Sequence, residues 1–228
     1  VKMVPISQAY SLISKDFAKL KYIFDLIKPG LIFVEDGTKF NHALSALNLS
    51  DVDIVTVINV PKYGIPFCDL IATKPTYQVN EVRAAITPDT IGKILFTSGS
   101  TGMPKGVINT HRMLCVVQAM LEDASHLRPP QDPGIVLDWL PWHHTFGGNV
   151  TFNAVLRTAS TLYIDDGRPM PGLFDQTIEN LREISPTSYS CVPGAYTMLA
   201  DALEKDDDLR NKFFSRLQNM SYGGAALP

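Results

Sequence analysis

The chain has 228 residues, 45% of them from the set Ala, Val, Ile, Leu, Met, Phe, Trp, Tyr and Cys and 19% charged, with a formal net charge of -3. Such a hydrophobic fraction excludes a disordered, collagenous or coiled-coil chain and allows one large or two small domains at roughly 150 residues each. Twenty basic against twenty-three acidic residues create no global positive field, which argues against nucleic acid or an anionic membrane as partner and favours small molecules.

In chain order, residues 15–27 place Phe17, Leu20, Ile23, Phe24 and Ile27 at helical spacing, and Pro29-Gly30 ends that helix. Residues 31–34 form a short strand-like run, 39–47 a second helical stretch, and 54–60 a run rich in β-branched residues. Residues 61–89 carry four prolines and read as irregular. A strand over 93–96 leads into a polar loop, and a helix is predicted over 111–125. Arg128-Pro129-Pro130-Gln131-Asp132-Pro133-Gly134 is the best candidate for a boundary. Beyond it, strands are predicted over 135–140, 161–164, 187–192 and 217–222, with a helix over 174–184 and another opening on Pro193, where a missing N–H costs nothing. Alternation of this kind predicts an α/β fold of parallel-rich sheets with covering helices, because parallel neighbours need crossover connections. The expected subdomains are 1–128 and 134–228, joined through 128–134.

Cys68, Cys115 and Cys191 are odd in number and far apart, with no paired C-x-x-C, and fit a reducing cytoplasm. The longest strongly apolar stretch, residues 113–121, is broken by Gln118. It falls short of the roughly 18 to 20 residues that span a bilayer. The chain opens on Val1 and closes on a turn signal straight after a strand-like run, Gly223-Gly224-Ala225-Ala226-Leu227-Pro228, which predicts a piece of a longer protein.

The loop Thr97-Ser98-Gly99-Ser100-Thr101-Gly102-Met103-Pro104-Lys105-Gly106 holds three glycines, four hydroxyls and one lysine. Glycines let backbone N–H groups turn inward, hydroxyls add donors and the lysine supplies a point charge, the ingredients of a phosphate cradle. A flexible Ser/Gly linker would not end in Pro-Lys-Gly between two strand-like runs. The nucleotide P-loop, G-x-x-x-x-G-K-[ST], is excluded because Pro104 precedes the lysine and Gly106 follows it.

A second motif, Leu140-Pro141-Trp142-His143-His144-Thr145-Phe146-Gly147-Gly148-Asn149, follows a predicted strand. Adjacent histidines in an extended segment would point to opposite sides, and no carboxylate or cysteine is nearby in sequence to complete a metal site. A histidine buried against a backbone carbonyl is the plain alternative. Asp165-Asp166-Gly167 reads as a turn, and residues 204–210 as a solvated helix end.

The first loop resembles the phosphate-binding loop of the adenylate-forming enzymes: acyl- and aryl-CoA ligases, luciferases and peptide-synthetase adenylation domains. Pro141, His144 and Gly147 resemble the same family's Pro-x-x-His-x-x-Gly segment, and Ser221 through Leu227 its Gly-Gly-Ala-x-Leu strand end, where glycines would allow close approach of a flat ligand. This resemblance implies ATP phosphates held by Thr97, Ser98, Gly99, Ser100, Thr101, Gly102 and Lys105, with Lys105 and His144 in catalytic roles. It implies an acyl and adenine pocket drawn from His144, Phe146, Gly223, Gly224, Ala225 and Arg112, with Trp142 as a further wall. Within the family, Asn109 through Leu114, Trp142 through Asn149 and Tyr163 through Gly167 are most similar to feruloyl-CoA synthases. The implied reaction uses ATP, a carboxylic acid such as a hydroxycinnamate, and CoA. A carrier protein could replace CoA as acceptor, and a non-catalytic nucleotide-binding scaffold is the alternative outside enzymology. Mg2+ would be held by a glutamate that the family carries further downstream. A parent of roughly 500 to 700 residues would supply the remaining parts of the site, and this chain alone is expected to be inactive.

Overall fold

A computed structural model describes residues 1–97, 102–125 and 133–226. It falls into two compact units, Val1–Ile108 and Asn109–Pro228.

In the first unit a short helix α1 (Ala9–Leu12) precedes α2 (Ala18–Ile27). The helical periodicity over 15–27 begins late because Ser14 and Asp16 divert the chain: Phe17 N–H donates to Ser14 Oγ at 3.1 Å and Ala18 N–H to Asp16 Oδ1 at 3.1 Å. These polar side chains cap the first turn that a continued helix would have occupied. Strands β1 (Leu31–Asp36), β2 (Asp53–Ile58) and β3 (Ile65–Pro66) form a parallel sheet in the order β1-β2-β3, with Leu31 opposite Asp53 and Val55 opposite Ile65. Helix α3 (Asn41–Ser45) links the first two strands, and Ile23, Ala43, Leu44, Val55 and Leu95 are buried.

Residues 61–89 are more regular than their prolines suggest. They contain β3, α4 (Phe67–Ala72) and α5 (Tyr77–Ala84). Pro66 immediately precedes α4 and Pro75 lies just ahead of α5, so these prolines mark helix starts, where no backbone N–H is lost. Strands β4 (Ile91–Thr97) and β5 (Lys105–Thr110) then form a two-stranded sheet.

The second unit begins at the end of β5. Helix α6 (His111–Ser125) has the predicted bounds, and Thr110 Oγ1 accepts the Met113 N–H at 3.3 Å, an N-terminal cap. The Pro-rich stretch expected as a boundary lies mostly outside the described residues. The unit division itself falls ahead of α6, because that helix packs on the elements after residue 145. Strands β6 (Ile135–Asp138), β7 (Thr161–Ile164), β8 (Ser188–Cys191) and β9 (Asn219–Tyr222) form a fully parallel sheet in the order β7-β6-β8-β9. A π-helical turn (Phe146–Thr151) running into α7 (Phe152–Thr158), then α8 (Asp175–Glu183), α9 (Pro193–Lys205) and α10 (Asp207–Phe214) complete it.

The core of this unit comprises Leu137, Phe174, Leu181, Tyr189, Cys191, Ala195, Leu199, Leu203, Leu209 and Phe213. Tyr189 meets Phe213 edge-on at 5.5 Å between ring centroids, a favoured aromatic geometry. The charged run at 204–210 is more than a solvated end. Asp206 Oδ1 accepts the Leu209 N–H at 2.9 Å and starts α10, whose Leu209 and Phe213 are buried. Chain and sheet order thus agree with the α/β reading, and the structure is a parallel-rich α/β architecture.

Candidate active site

The sheet of the second unit has a topological switch point. The chain leaves β6 for β7 on one side and returns to β8 on the other. A crevice outside the carboxyl ends of the strands opens at such a point, and open α/β sheets bind ligands there. At those ends stand Asp138 on β6, Cys191 on β8 and Tyr222 on β9, with Gly223-Gly224 just beyond it.

The strand β6 ends on a buried carboxylate. Asp138 is 4% exposed; its Oδ1 accepts the Leu140 N–H at 3.0 Å, and Oδ2 is buried without a hydrogen-bond partner. Burial, offset by that N–H and reinforced by the nearby Asp165 charge, pushes its pKa from 3.8 up to about 7. The Leu140 bond turns the chain into the His143-His144 segment. That segment is not extended as expected: the His144 N–H donates to Pro141 O at 3.0 Å and the Gly148 N–H to His144 O at 2.8 Å. The two glycines are there for space. A Cβ on Gly147 would come within 2.7 Å of Leu140 O, and one on Gly148 would overlap the Trp142 carbonyl.

His144 is exposed. Its Nδ1 accepts the Phe146 N–H at 3.3 Å, which leaves Nε2 to carry the proton of the neutral ring. The imidazole therefore offers solvent an N–H donor of fixed tautomer, suited to a carboxylate or phosphate oxygen. His143 is half-buried, and burial first, then the neighbouring His144, holds its pKa below the usual value. Trp142 packs on Phe152 with ring centroids 4.8 Å apart.

Phe146 meets the β9 end. A Cβ on Gly223 would lie 3.2 Å from Phe146 Cε1, so the ring edge occupies the space that a side chain would need. The Gly223 N–H donates to Cys191 O at 3.3 Å, and Gly224 takes φ +90, a conformation open to glycine. The glycines expected to admit a flat ligand thus have structural uses of their own: Gly223 makes room for Phe146, and Gly224 permits the turn. Ala225 is exposed, as is Arg112 in the first turn of α6. His144, Phe146 and Gly223 are gathered at one end of one sheet.

The phosphate-loop residues belong to the first unit. Thr97 ends β4 and is exposed; Ser98, Gly99, Ser100 and Thr101 lie outside the described residues. Gly102 takes φ +84, Pro104 is fully buried, and Lys105 is exposed as the first residue of β5. A buried proline and a glycine in the left-handed region let the chain turn sharply and project the lysine, which fits phosphate binding. Among the described residues no three His, Cys, Asp or Glu side chains come together as metal ligands. No helix of the described residues is long and apolar enough to cross a membrane.

Three polar residues escaped the sequence reading. Asn149 donates through Nδ2 to Asn109 Oδ1 at 3.0 Å and to Thr145 Oγ1 at 3.2 Å, and its carbonyl accepts from Gln118 Nε2 at 3.0 Å. Gln118 had a visible signal, since it interrupts an apolar helix face. Asp165, read as a turn residue, is buried and accepts from Gly167 N–H at 2.9 Å, Thr177 Oγ1 at 2.6 Å and Asn180 Nδ2 at 3.0 Å, tying β7 to α8.

A family model described as AMP-binding enzyme matches residues 3–228. A propanoyl:CoA ligase of Rhodococcus jostii, whose acid carries a methyl-dioxo-octahydroindenyl group, is 30% identical over 192 residues, covering 78% of this chain and 35% of its own. 4-Coumarate--CoA ligase 2 of Oryza sativa subsp. japonica is 34% identical over 117 residues, 48% of this chain and 20% of its own. ATP-bound MatB from Rhodopseudomonas palustris superposes with a TM-score of 0.70 at 21% identity, over 99% of this chain and 40% of that one, a likeness of fold. The chain spans about a third or less of the length of these two curated relatives. With a match that runs almost end to end, the chain belongs to the AMP-binding enzyme family.

Proposed function

We propose that the chain forms part of an ATP-dependent carboxylic acid:CoA ligase. A carboxylate oxygen of the acid attacks the α-phosphorus of ATP, the bond to the β-phosphate breaks, and pyrophosphate leaves. The CoA thiol then attacks the acyl carbon, gives up its proton, and displaces AMP as the thioester forms. Joining the acid to AMP turns a resonance-stabilised carboxylate into a mixed anhydride, a far better electrophile.

The observation that carries this reading is His144: an exposed imidazole of fixed tautomer at a sheet switch point. Its Nε2–H holds the carboxylate by a hydrogen bond during the attack, a positioning and charge-stabilising role. Lys105 neutralises the departing pyrophosphate, and the loop from Thr97 to Gly102 supplies further donors. Phe146 walls the acyl pocket, while Gly223, Gly224, Ala225 and Arg112 complete its rim. A cytoplasmic location is supported by the three unpaired cysteines.

For the acid, we favour a hydroxycinnamate such as ferulate, supported by the resemblance at residues 109–114, 142–149 and 163–167 and by the similarity to the rice 4-coumarate ligase. The test is acid-dependent ATP–pyrophosphate exchange by the full-length polypeptide. Exchange with ferulate or coumarate at least tenfold above that with long-chain fatty acids supports the substrate class. No exchange with any carboxylic acid overturns the ligase reading.

A further inference from the structure

We infer that Asn149, braced by Gln118, is a positioning residue that holds His144 in register. The inference rests on the reading of His144 as the group that orients the acid.

The turn that follows His144 is a π-helix. The Phe152 N–H reaches back five residues to Gly147 O. A π-turn carries one residue more than an α-turn, forms poorer backbone hydrogen bonds, and persists where something outside it compensates. Here the compensation is visible. The Asn149 main-chain carbonyl, inside the turn, accepts from the side chain of Gln118 on α6. Gln118 is 6% exposed, and its segment of α6 is held to α7, since Arg157 Nη1 donates to the Gln118 main-chain carbonyl at 2.8 Å and Arg157 pairs with Glu122 one turn further along α6.

The Asn149 side chain then works in the other direction along the chain. Its Nδ2 uses both hydrogens, one on Thr145 Oγ1 next to His144 and one on Asn109 Oδ1 at the end of β5. The Asn109 bond ties the turn to the end of β5, and the Thr145 bond holds the residue next to His144, so together they fix where the turn begins. Without them Thr145 and Phe146 are freer to move, and with them the Phe146 N–H that donates to His144 Nδ1. Asn149 therefore touches no substrate and acts through the ring of His144.

The experiment reads the imidazole directly. In the full-length polypeptide with 15N-labelled histidine, the neutral wild-type His144 ring should show Nδ1 unprotonated and Nε2 protonated. Asn149→Ala and Gln118→Leu should each replace that pattern with averaged nitrogens, raise the KM for the acid and cut acid-dependent exchange on the order of 10- to 100-fold. Thr145→Val, at an exposed position, removes one acceptor without disturbing the core and should shift the pattern less in the same direction, while Thr145→Ser keeps it. An unchanged tautomer in Asn149→Ala, Gln118→Leu and Thr145→Val overturns the proposal. The catalytic reading fails separately, if His144→Ala leaves exchange intact, and the tautomer result stands or falls regardless of that outcome.

Discussion

The two segments that carry the candidate catalytic residues are built in opposite ways. Lys105 opens a strand whose first four residues, Lys105 through Ile108, are all exposed, and it is reached through a glycine at positive φ. His144 sits in a turn where two backbone hydrogen bonds, one backbone-to-imidazole bond and two sterically required glycines leave the chain little freedom. The difference follows the chemistry each residue is proposed to do. A lysine is a point charge on a flexible stem and can follow a diffuse anionic target. A neutral histidine acts only if the correct nitrogen holds the proton and points the right way.

The sharpest way to break this comparison is to remove the charge. Lys105→Ala in the full-length polypeptide is expected to slow acid-dependent pyrophosphate exchange by about 10²- to 10³-fold while leaving the melting temperature unchanged, as measured by exchange and thermal denaturation side by side. A large fall in stability would mean that Lys105 is structural.

Crowding the His144 turn should do the reverse. Gly148→Ala places a methyl against the Trp142 carbonyl, and the expected loss is on the order of 3 kcal/mol in chemical denaturation. Wild-type stability in that variant would show that the turn is looser than its geometry.

Asp138, where β6 feeds that turn, gives a pH signature of comparable or smaller size. Its folded pKa lies above its ordinary value, so the native state binds the proton more tightly than the unfolded chain does. That contribution is fully present below about pH 3.8 and is lost as pH rises through about 7. Relative to Asp138→Asn, the wild type is expected to lose on the order of 2–3 kcal/mol over that window. Denaturation midpoints of the two proteins that run parallel between pH 4 and 7 would contradict it.

The smallest expected effect is on the lysine side. A Cβ on Gly106 would meet Ile94 and Phe96 at 3.4 Å, an ordinary contact, so Gly106→Ala should change stability by no more than about 0.5 kcal/mol. A larger cost would erase the contrast with Gly148.

Much of this was legible in the residues, and the failures share a cause. Helix α6 and strand β7 have the predicted bounds, because a long amphipathic period and a short β-branched run are local signals. Helices α4 and α5 were hidden by prolines that mark their starts, and α10 by charges that mask two buried residues, Leu209 and Phe213. The motif around His144 was visible as a string, yet its shape was not: nothing local in Thr145-Phe146-Gly147-Gly148-Asn149 announces a π-turn. One of its carbonyls, that of Asn149, accepts from Gln118, 31 residues away.

The sequence by itself determined the α/β alternation and the composition of the phosphate loop, since both depend on residue type and near-neighbour spacing. It also determined which residues resemble the AMP-binding family. Tertiary structure alone decided that Gly223 makes room for Phe146, that Asp138 is buried with a raised pKa, and that Asn149 and Gln118 hold the His144 turn. Space, dielectric and hydrogen-bond partners are set by residues far apart in the chain, and they come into being only when parallel strands and their crossover helices are brought together.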